Sequence, residues 1–496
     1  MVQCSASHDM KTATPPADIE DFQHPIDADE FRKLGYQVID WIADYYKGLD
    51  TQERIRPDVK PGYLRALLPP SAPEQPESFE AVMTDFQKLL MPGVVHWQAP
   101  KFFAYFSANS SYPGMLAEML MSATNMIGFS WTSSPVGTEL EMVMMDWLAE
   151  LVGLPACFKF TSGGPGGGTI QGTSSEAVLV ALLAARCRCL KGRPPQDVAS
   201  LVVYTSDQAH SCVKKACMVA GITHVRLLPT SAETHYALQP SVLEASLAAD
   251  VAAGLTPCFV CATIGTTSSC AVDPVAALAA AAHAHAAWCH VDAAYAGSAA
   301  VCPEQRELYF QGLEAVDSYS FNPHKWLLTN FDCCALWAAD AAPIKEALSL
   351  TPVFLQGAGN ALDYKDWQIP LGRRFRALKL FFVLRMYGAD KLRGYVRHHI
   401  ALADQFAARV AADPRLELAV PACFGLVCFG LKGASREQQV ALLDAINARG
   451  DLFLIHTELS GQYTLRLAIG STSTQARHVD AAWEAVSAAA DLALKH

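Results

Sequence analysis

The feature that most constrains this chain is a repeated alternation. From about Tyr112 to about Leu378, short apolar runs of strand length are separated by longer runs with helical periodicity. Parallel neighbours in a sheet need a crossover connection, and intervening helices supply it, so this order calls for a mostly parallel sheet. Leu201–Tyr204, Cys258–Thr263 and Ala287–Ala294 are runs of this kind, and a further short strand precedes Lys325. In such sheets the ligand crevice lies outside the carboxyl ends of the strands. Those ends are where chemistry is to be sought.

The most informative of them is Ser320–Leu328, which reads SFNPHKWLL and places Lys325 among Phe321, Pro323, Trp326, Leu327 and Leu328. Loss of hydration lowers a lysine pKa and makes the amine nucleophilic. Taken alone, the segment reads equally as a lysine snorkelling past a core strand and as an imine-forming lysine. The other strand ends favour the second reading. AWCHVDAA (287–294) brings Asp292 to a carboxyl end, where a carboxylate can keep a pyridine nitrogen protonated. TSGGPGGGTIQGTSS (161–175) runs into a helical stretch, and its glycines, with Thr173, Ser174 and Ser175 at a helix N-terminus, make a cradle for a phosphate dianion. His210, in TSDQAHSCVKKA, follows a strand and can stack on a ring face; Thr263 ends another strand. Lysine, ring-nitrogen carboxylate, phosphate cradle and ring-stacking group are together what a pyridoxal 5'-phosphate site requires. The bland alternatives are a strand-ending turn aspartate, a flexible linker and an ordinary loop histidine; each accounts for one residue at a time.

These segments resemble the group II pyridoxal phosphate decarboxylases, specifically the aromatic L-amino acid decarboxylase family of plants and animals. The resemblance is carried by HVDAAYAGSA (290–299), SFNPHKWLL, SDQAH (206–210), IQGTSSEA (170–177) and DYKDWQIPLGRRFRALKL (363–380), and runs from about Phe22 to about Ala401. It implies a fold-type I, aspartate aminotransferase-like α/β enzyme with a mostly parallel central sheet. The expected division is a tail over 1–23, an N-terminal helical dimerisation segment over 24–111, a large cofactor domain over 112–378 and a small α+β domain over 379–496. By the same resemblance Lys325 carries the cofactor, Asp292 partners the ring nitrogen, and His210 stacks on the ring. Ala294 packs under it, Thr173, Ser174, Ser175 and Asn322 hold the phosphate, and Thr263 contacts the cofactor beside the imine. Trp97, Tyr105, Phe106, Ile127 and Phe129 match an aromatic substrate pocket, part of which the neighbouring subunit of a homodimer lends. Gly372 matches the glycine of members that admit bulky phenyl or indole side chains.

One departure matters for the product. In ordinary decarboxylases of this family a loop after the lysine strand presents a tyrosine in a proline, variable residue, tyrosine, leucine motif; here it reads Pro352, Val353, Phe354, Leu355. The tyrosine hydroxyl returns a proton to the carbanion left by loss of carbon dioxide, and Phe354 has no such proton. The same change marks the plant aromatic acetaldehyde synthases. The resemblance therefore implies oxidation by dioxygen to an arylacetaldehyde, with carbon dioxide, ammonia and hydrogen peroxide. The alternative is a plain decarboxylase making an arylalkylamine, with His324 or water as proton source. Ser107 and Ala108 also replace a usual proline and threonine, and the loop over 356–362 is a few residues shorter than usual.

The whole chain narrows the field. At 496 residues and 51% hydrophobic it can bury a large core. A net charge of -11 gives no electrostatic footprint for nucleic acid or an anionic membrane surface. Fifteen cysteines lie scattered without a disulfide framework and read as reduced. Cys258 and Cys261 are three apart on a strand, and His283 and His285 diverge on a helix, so no metal site is expected. Residues 1–23 hold no apolar segment and are acidic, which points to the cytosol. Asp27 and Glu30 fit a capping box opening a helix with Phe31, Leu34, Val38 and Ile42 on one face. Towards the C-terminus, Leu465, Arg466 and Leu467 fit an ordinary strand alternation.

Overall fold

The structure is a computed structural model that describes residues 24–350 and 361–494. The tail over 1–23 and the motif carrying Phe354 lie outside the described residues. Seven strands form the larger sheet: β1 (Gly167–Gln171), β2 (Leu201–Ser206), β3 (His224–Leu228), β4 (Thr256–Thr263), β5 (Trp288–Asp292), β6 (Ser318–Phe321) and β7 (Cys334–Ala338). Their order is β1-β7-β6-β5-β4-β2-β3. β7 pairs antiparallel with both β1 and β6, and the pairings from β6 across to β3 are parallel.

The near-continuous apolar runs are explained by burial on both faces. Val203, Phe259 and Cys261 pack with Val178 and Leu182 of the helix Ser174–Leu190. Their alternating neighbours Val202, Val260 and Ala262 join the opposite cluster with Leu278 and Leu148. The register then levels the strand ends that matter: Thr263 lies opposite Asp292, and Asp292 opposite Ser320.

A second sheet, β8 (Leu416–Leu418), β9 (Leu426–Leu431), β10 (Ile455–Leu459) and β11 (Gln462–Ala468), is antiparallel in the order β10-β11-β9-β8. The helices Arg436–Ala448 and Ala476–Ala493 cover it through Leu442, Ile446, Val486 and Ala490. The first of them opens with a capping box, Ser435 bonding the Gln438 N–H and the Gln438 side chain returning to the Ser435 N–H. The helix Ala377–Ala412 breaks at Gly388, where φ is 69°. That is a left-handed conformation, which glycine adopts without a Cβ penalty.

The chain divides into two compact units, residues 24–48 with 58–94 and residues 49–57 with 95–494. In the first, Asp27 accepts the N–H groups of Asp29 (3.0 Å) and Glu30 (2.8 Å) at the start of the helix Ala28–Gly48, and Trp41 meets Phe86 edge-on at 5.0 Å. The second holds both sheets together with residues 95–111, which the division expected from the resemblance places in the N-terminal helical segment. No described helix is long and apolar enough to cross a membrane.

Candidate active site

The carboxyl ends of β4, β5 and β6 open onto a cavity with about 390 Å³ of free space counting its mouth, lined among others by Phe106, Ser174, His210, Thr263, Asp292, Ala294 and Lys325. Strand polarity explains the convergence, because each strand releases the chain at the same edge of the sheet. Beyond β6 the chain enters a single turn of helix, Pro323–Trp326, whose proline suits a first helical position. Lys325 projects from this turn, with Nζ 5.8 Å from the centre of the Phe106 ring.

Electrostatics bind the floor of the cavity together. Loss of hydration pushes the Lys325 amine below the usual lysine value, while nearby Asp292 opposes that fall. Burial likewise raises the carboxyl of Asp292, and Lys325 together with the Ala294 N–H, which donates to Oδ1 at 2.9 Å, draws it back. His210 lines the cavity from an exposed position, with its pKa lowered chiefly by loss of hydration. Its Nδ1 accepts the N–H of Cys212 at 3.1 Å, which leaves the proton of the neutral ring on Nε2. Behind Thr263, buried Asp273 accepts the N–H groups of Thr263 and Leu238, each at 2.8 Å, and burial pushes its carboxyl up to about 7.

The cradle forms as its residue types require. Thr173 is the N-cap of the helix Ser174–Leu190, its side chain accepting the Glu176 N–H. The earliest N–H groups of any helix lack intrahelical partners, so this terminus presents donors and a partial positive charge. Ser174 is buried and donates to Asn322 Oδ1 at 2.8 Å, locking the cradle to the residue just before the lysine turn; Ser175 is exposed. Helix terminus, carboxylate and lysine thus stand around one cavity in an arrangement that fits the phosphate, ring nitrogen and aldehyde carbon of pyridoxal phosphate. His324 is buried beside Lys325, its Nδ1 accepting the Cys333 N–H at 2.8 Å, and burial drives its pKa down to about 3.

The expected substrate residues are placed differently. Phe106 lines the cavity and stacks on Tyr295 at 3.7 Å. Trp97, Tyr105, Ile127, Phe129 and Gly372 do not line it. Trp97 and Tyr105 stack on each other at 5.4 Å and are exposed, as are Ile127 and Gly372, while Phe129 is half-buried.

The sequence pattern assigns Arg466 to an ordinary strand alternation. It does lie in β11, but both strand faces are buried there, so the alternation that suggested an ordinary strand puts a guanidinium in the interior. Its Nε and Nη2 have no hydrogen-bond partner, and its guanidinium carbon lies 5.0 Å from the Phe106 centroid. The available signal was a cation flanked by leucines, Leu465 and Leu467, in the apolar second half of the strand.

Comparisons with known proteins agree with this geometry. The family model for the pyridoxal-dependent decarboxylase conserved domain matches residues 61–432. The chain is 49% identical over 474 residues to phenylacetaldehyde synthase of Arabidopsis thaliana, covering 93% of this chain and 96% of that protein. It is 47% identical over 477 residues to tryptophan decarboxylase 2 of Oryza sativa subsp. japonica, covering 94% and 95%. The crystal structure of Oryza sativa TDC with PLP and tryptamine superimposes with a TM-score of 0.92 at 41% identity, over 95% of this chain and 99% of that one. The chain therefore belongs to the pyridoxal-dependent decarboxylases, within the aromatic amino acid decarboxylase family, and its cofactor is pyridoxal 5'-phosphate.

Proposed function

We propose that the chain converts an aromatic L-amino acid, in air, to the corresponding arylacetaldehyde. The observation that carries this reading is Phe354 in the position of the protonating tyrosine. Lys325 holds the cofactor and later moves protons near the substrate Cα. Asp292, whose carboxyl burial raises and Lys325 draws back, holds a proton on the ring nitrogen. His210 covers the ring, and Thr173, Ser174, Ser175 and Asn322 keep the phosphate in place. Bound pyridoxal phosphate supplies an electron sink for the pair left at Cα when carbon dioxide departs.

The product is decided by the fate of one proton. A positioned acid contributes typically ~10²- to 10⁴-fold, and a phenyl ring supplies none of it. With Cα left unprotonated, dioxygen takes two electrons and two protons to become hydrogen peroxide, and water displaces the nitrogen. The overall balance is amino acid, dioxygen and water giving arylacetaldehyde, carbon dioxide, ammonia and hydrogen peroxide. The similarity to phenylacetaldehyde synthase supports this route.

The second reading, a plain decarboxylase, is favoured by a tryptophan decarboxylase of nearly the same identity and by His324 beside Lys325. Its product is the arylalkylamine. The protein acts as a cytosolic homodimer in either case. The exposed Trp97, Tyr105 and Ile127, and the exposed apolar Leu116, Met119 and Leu120, support a partner subunit completing the substrate pocket.

Product analysis decides between the readings. Purified protein is given phenylalanine, tyrosine, dihydroxyphenylalanine or tryptophan in air, and carbon dioxide, aldehyde, amine and peroxide are quantified together. Aldehyde and peroxide equal to carbon dioxide are expected; amine without peroxide overturns the proposal. In Phe354→Tyr the amine-to-aldehyde ratio should rise by about 10²-fold.

A further inference from the structure

Lys325 owes its place to a residue far away in sequence. Asn109 is buried, and its backbone N–H donates at 2.8 Å to the carbonyl of His324. That carbonyl belongs to the peptide group whose N–H is Lys325's own, and the N–H in turn donates to Asn322 O at 2.9 Å. The Asn109 side chain then reaches past the lysine. Its Oδ1 accepts the N–H of Leu328 at 3.1 Å and the Tyr395 hydroxyl at 3.1 Å, and its Nδ2 donates to the carbonyl of Gly470 at 2.6 Å. Leu328 is held at a φ of 54°, a left-handed conformation that strains a residue bearing a Cβ. Neighbouring residues reinforce the same junction. Ser111 Oγ donates to Leu328 O at 2.6 Å, and Asn330 Nδ2 donates to Ser110 Oγ at 2.8 Å.

We infer that Asn109 is a positioning residue for Lys325, clamping the lysine turn at the peptide groups on either side and tying it to the Gly470 turn that comes after β11. The inference rests on Lys325 being the lysine that holds the cofactor. An amide suits the post because it offers an acceptor to Leu328 and a donor to Gly470 at once. Alanine leaves the buried Leu328 N–H without this partner, and aspartate sets an oxygen against the Gly470 carbonyl. Either change lets the strained turn relax and carries the Lys325 Cα–Cβ direction with it. A displacement of about 1 Å at a reacting group can cost 10²-fold.

The test uses the holoenzyme with Asn109→Ala and Asn109→Asp, and Lys325→Ala as a control. Measured are kcat and KM for the best aromatic amino acid, bound cofactor per folded chain, and the visible circular dichroism of the cofactor, which reports its asymmetric orientation. For both Asn109 variants kcat should fall by about tenfold or more with KM little changed. The dichroic band per bound cofactor should be altered as well. Wild-type kcat and dichroism, or activity lost only in step with lost cofactor or folded protein, overturns the inference. Lys325→Ala should yield no covalently labelled chain after borohydride reduction. A labelled chain there would overturn the lysine assignment itself, whereas an unlabelled control beside wild-type-like Asn109 variants would overturn the Asn109 inference alone.

Discussion

Around Lys325, the groups that would handle the cofactor are finished within one chain. Asp292 is 4% exposed and bonded to the Ala294 N–H, and Ser174 and Asn322 are bonded to each other. The aromatics matched to the substrate pocket stand the other way, with Trp97 at 37%, Tyr105 at 48% and their aliphatic companion Ile127 at 53% exposure. Burial and hydrogen bonding hold a charge-handling group in one geometry, whereas an apolar wall needs only a second surface to close it. The contrast teaches that the polar floor of the cavity and the aromatics around Trp97 and Tyr105 depend on different neighbours.

The comparison breaks first at the floor. Asp292→Asn keeps the shape but loses the charge opposite a ring nitrogen, so kcat should fall by about 10²- to 10³-fold while thermal stability stays close to wild type. A measured kcat within a factor of a few of wild type would remove Asp292 from its proposed post. The wall should respond more weakly and in a different constant. Ile127→Ala should raise KM by about tenfold, some 1.4 kcal/mol, with kcat largely kept. Paired kcat and KM measurements sharpen the contrast, and an equal loss in kcat from both variants would erase it.

The remaining effect is one of pH and falls on stability, not on kcat or KM. Burial drives His290, His324 and His399 each down to about 3 from 6.5. Between those values the unfolded chain binds protons that the folded chain refuses, so stability present above about pH 6.5 is lost as pH falls. Each ring contributes up to about 1.4 kcal/mol per pH unit. Denaturant midpoints at pH 7 and pH 5 check this, the lower pH giving the lower midpoint, and His324→Gln should flatten the slope by roughly one ring's share.

Much of the floor was legible in the sequence. Asp292 and Thr263 end apolar runs, Lys325 comes just after another, and the strand-end rule needs only local patterning to place them together. Thr173 was legible as a cap because its side chain serves the helix it begins. Arg466 and Asn109 were not, since what distinguishes them is company from distant segments; Asn109 meets Gly470 across 361 residues. Nor did sequence tell that Trp97 and Tyr105 would be exposed while Phe106, adjacent to Tyr105, is buried. Aromatic residues in a row carry no mark of which face they will take.

The clamp on the lysine turn also bears on how the molecule is made. Asn109, Leu328, Tyr395 and Gly470 must all be present before that turn has its full set of bonds, and Gly470 follows Asn109 by 361 residues. Contacts so distant in sequence form late, because the loop entropy between them is surrendered before any bond repays it. During synthesis, then, the cradle strands can fold long before the lysine beside them is set. A polypeptide cut before β11 lacks Gly470 and should bind the cofactor poorly.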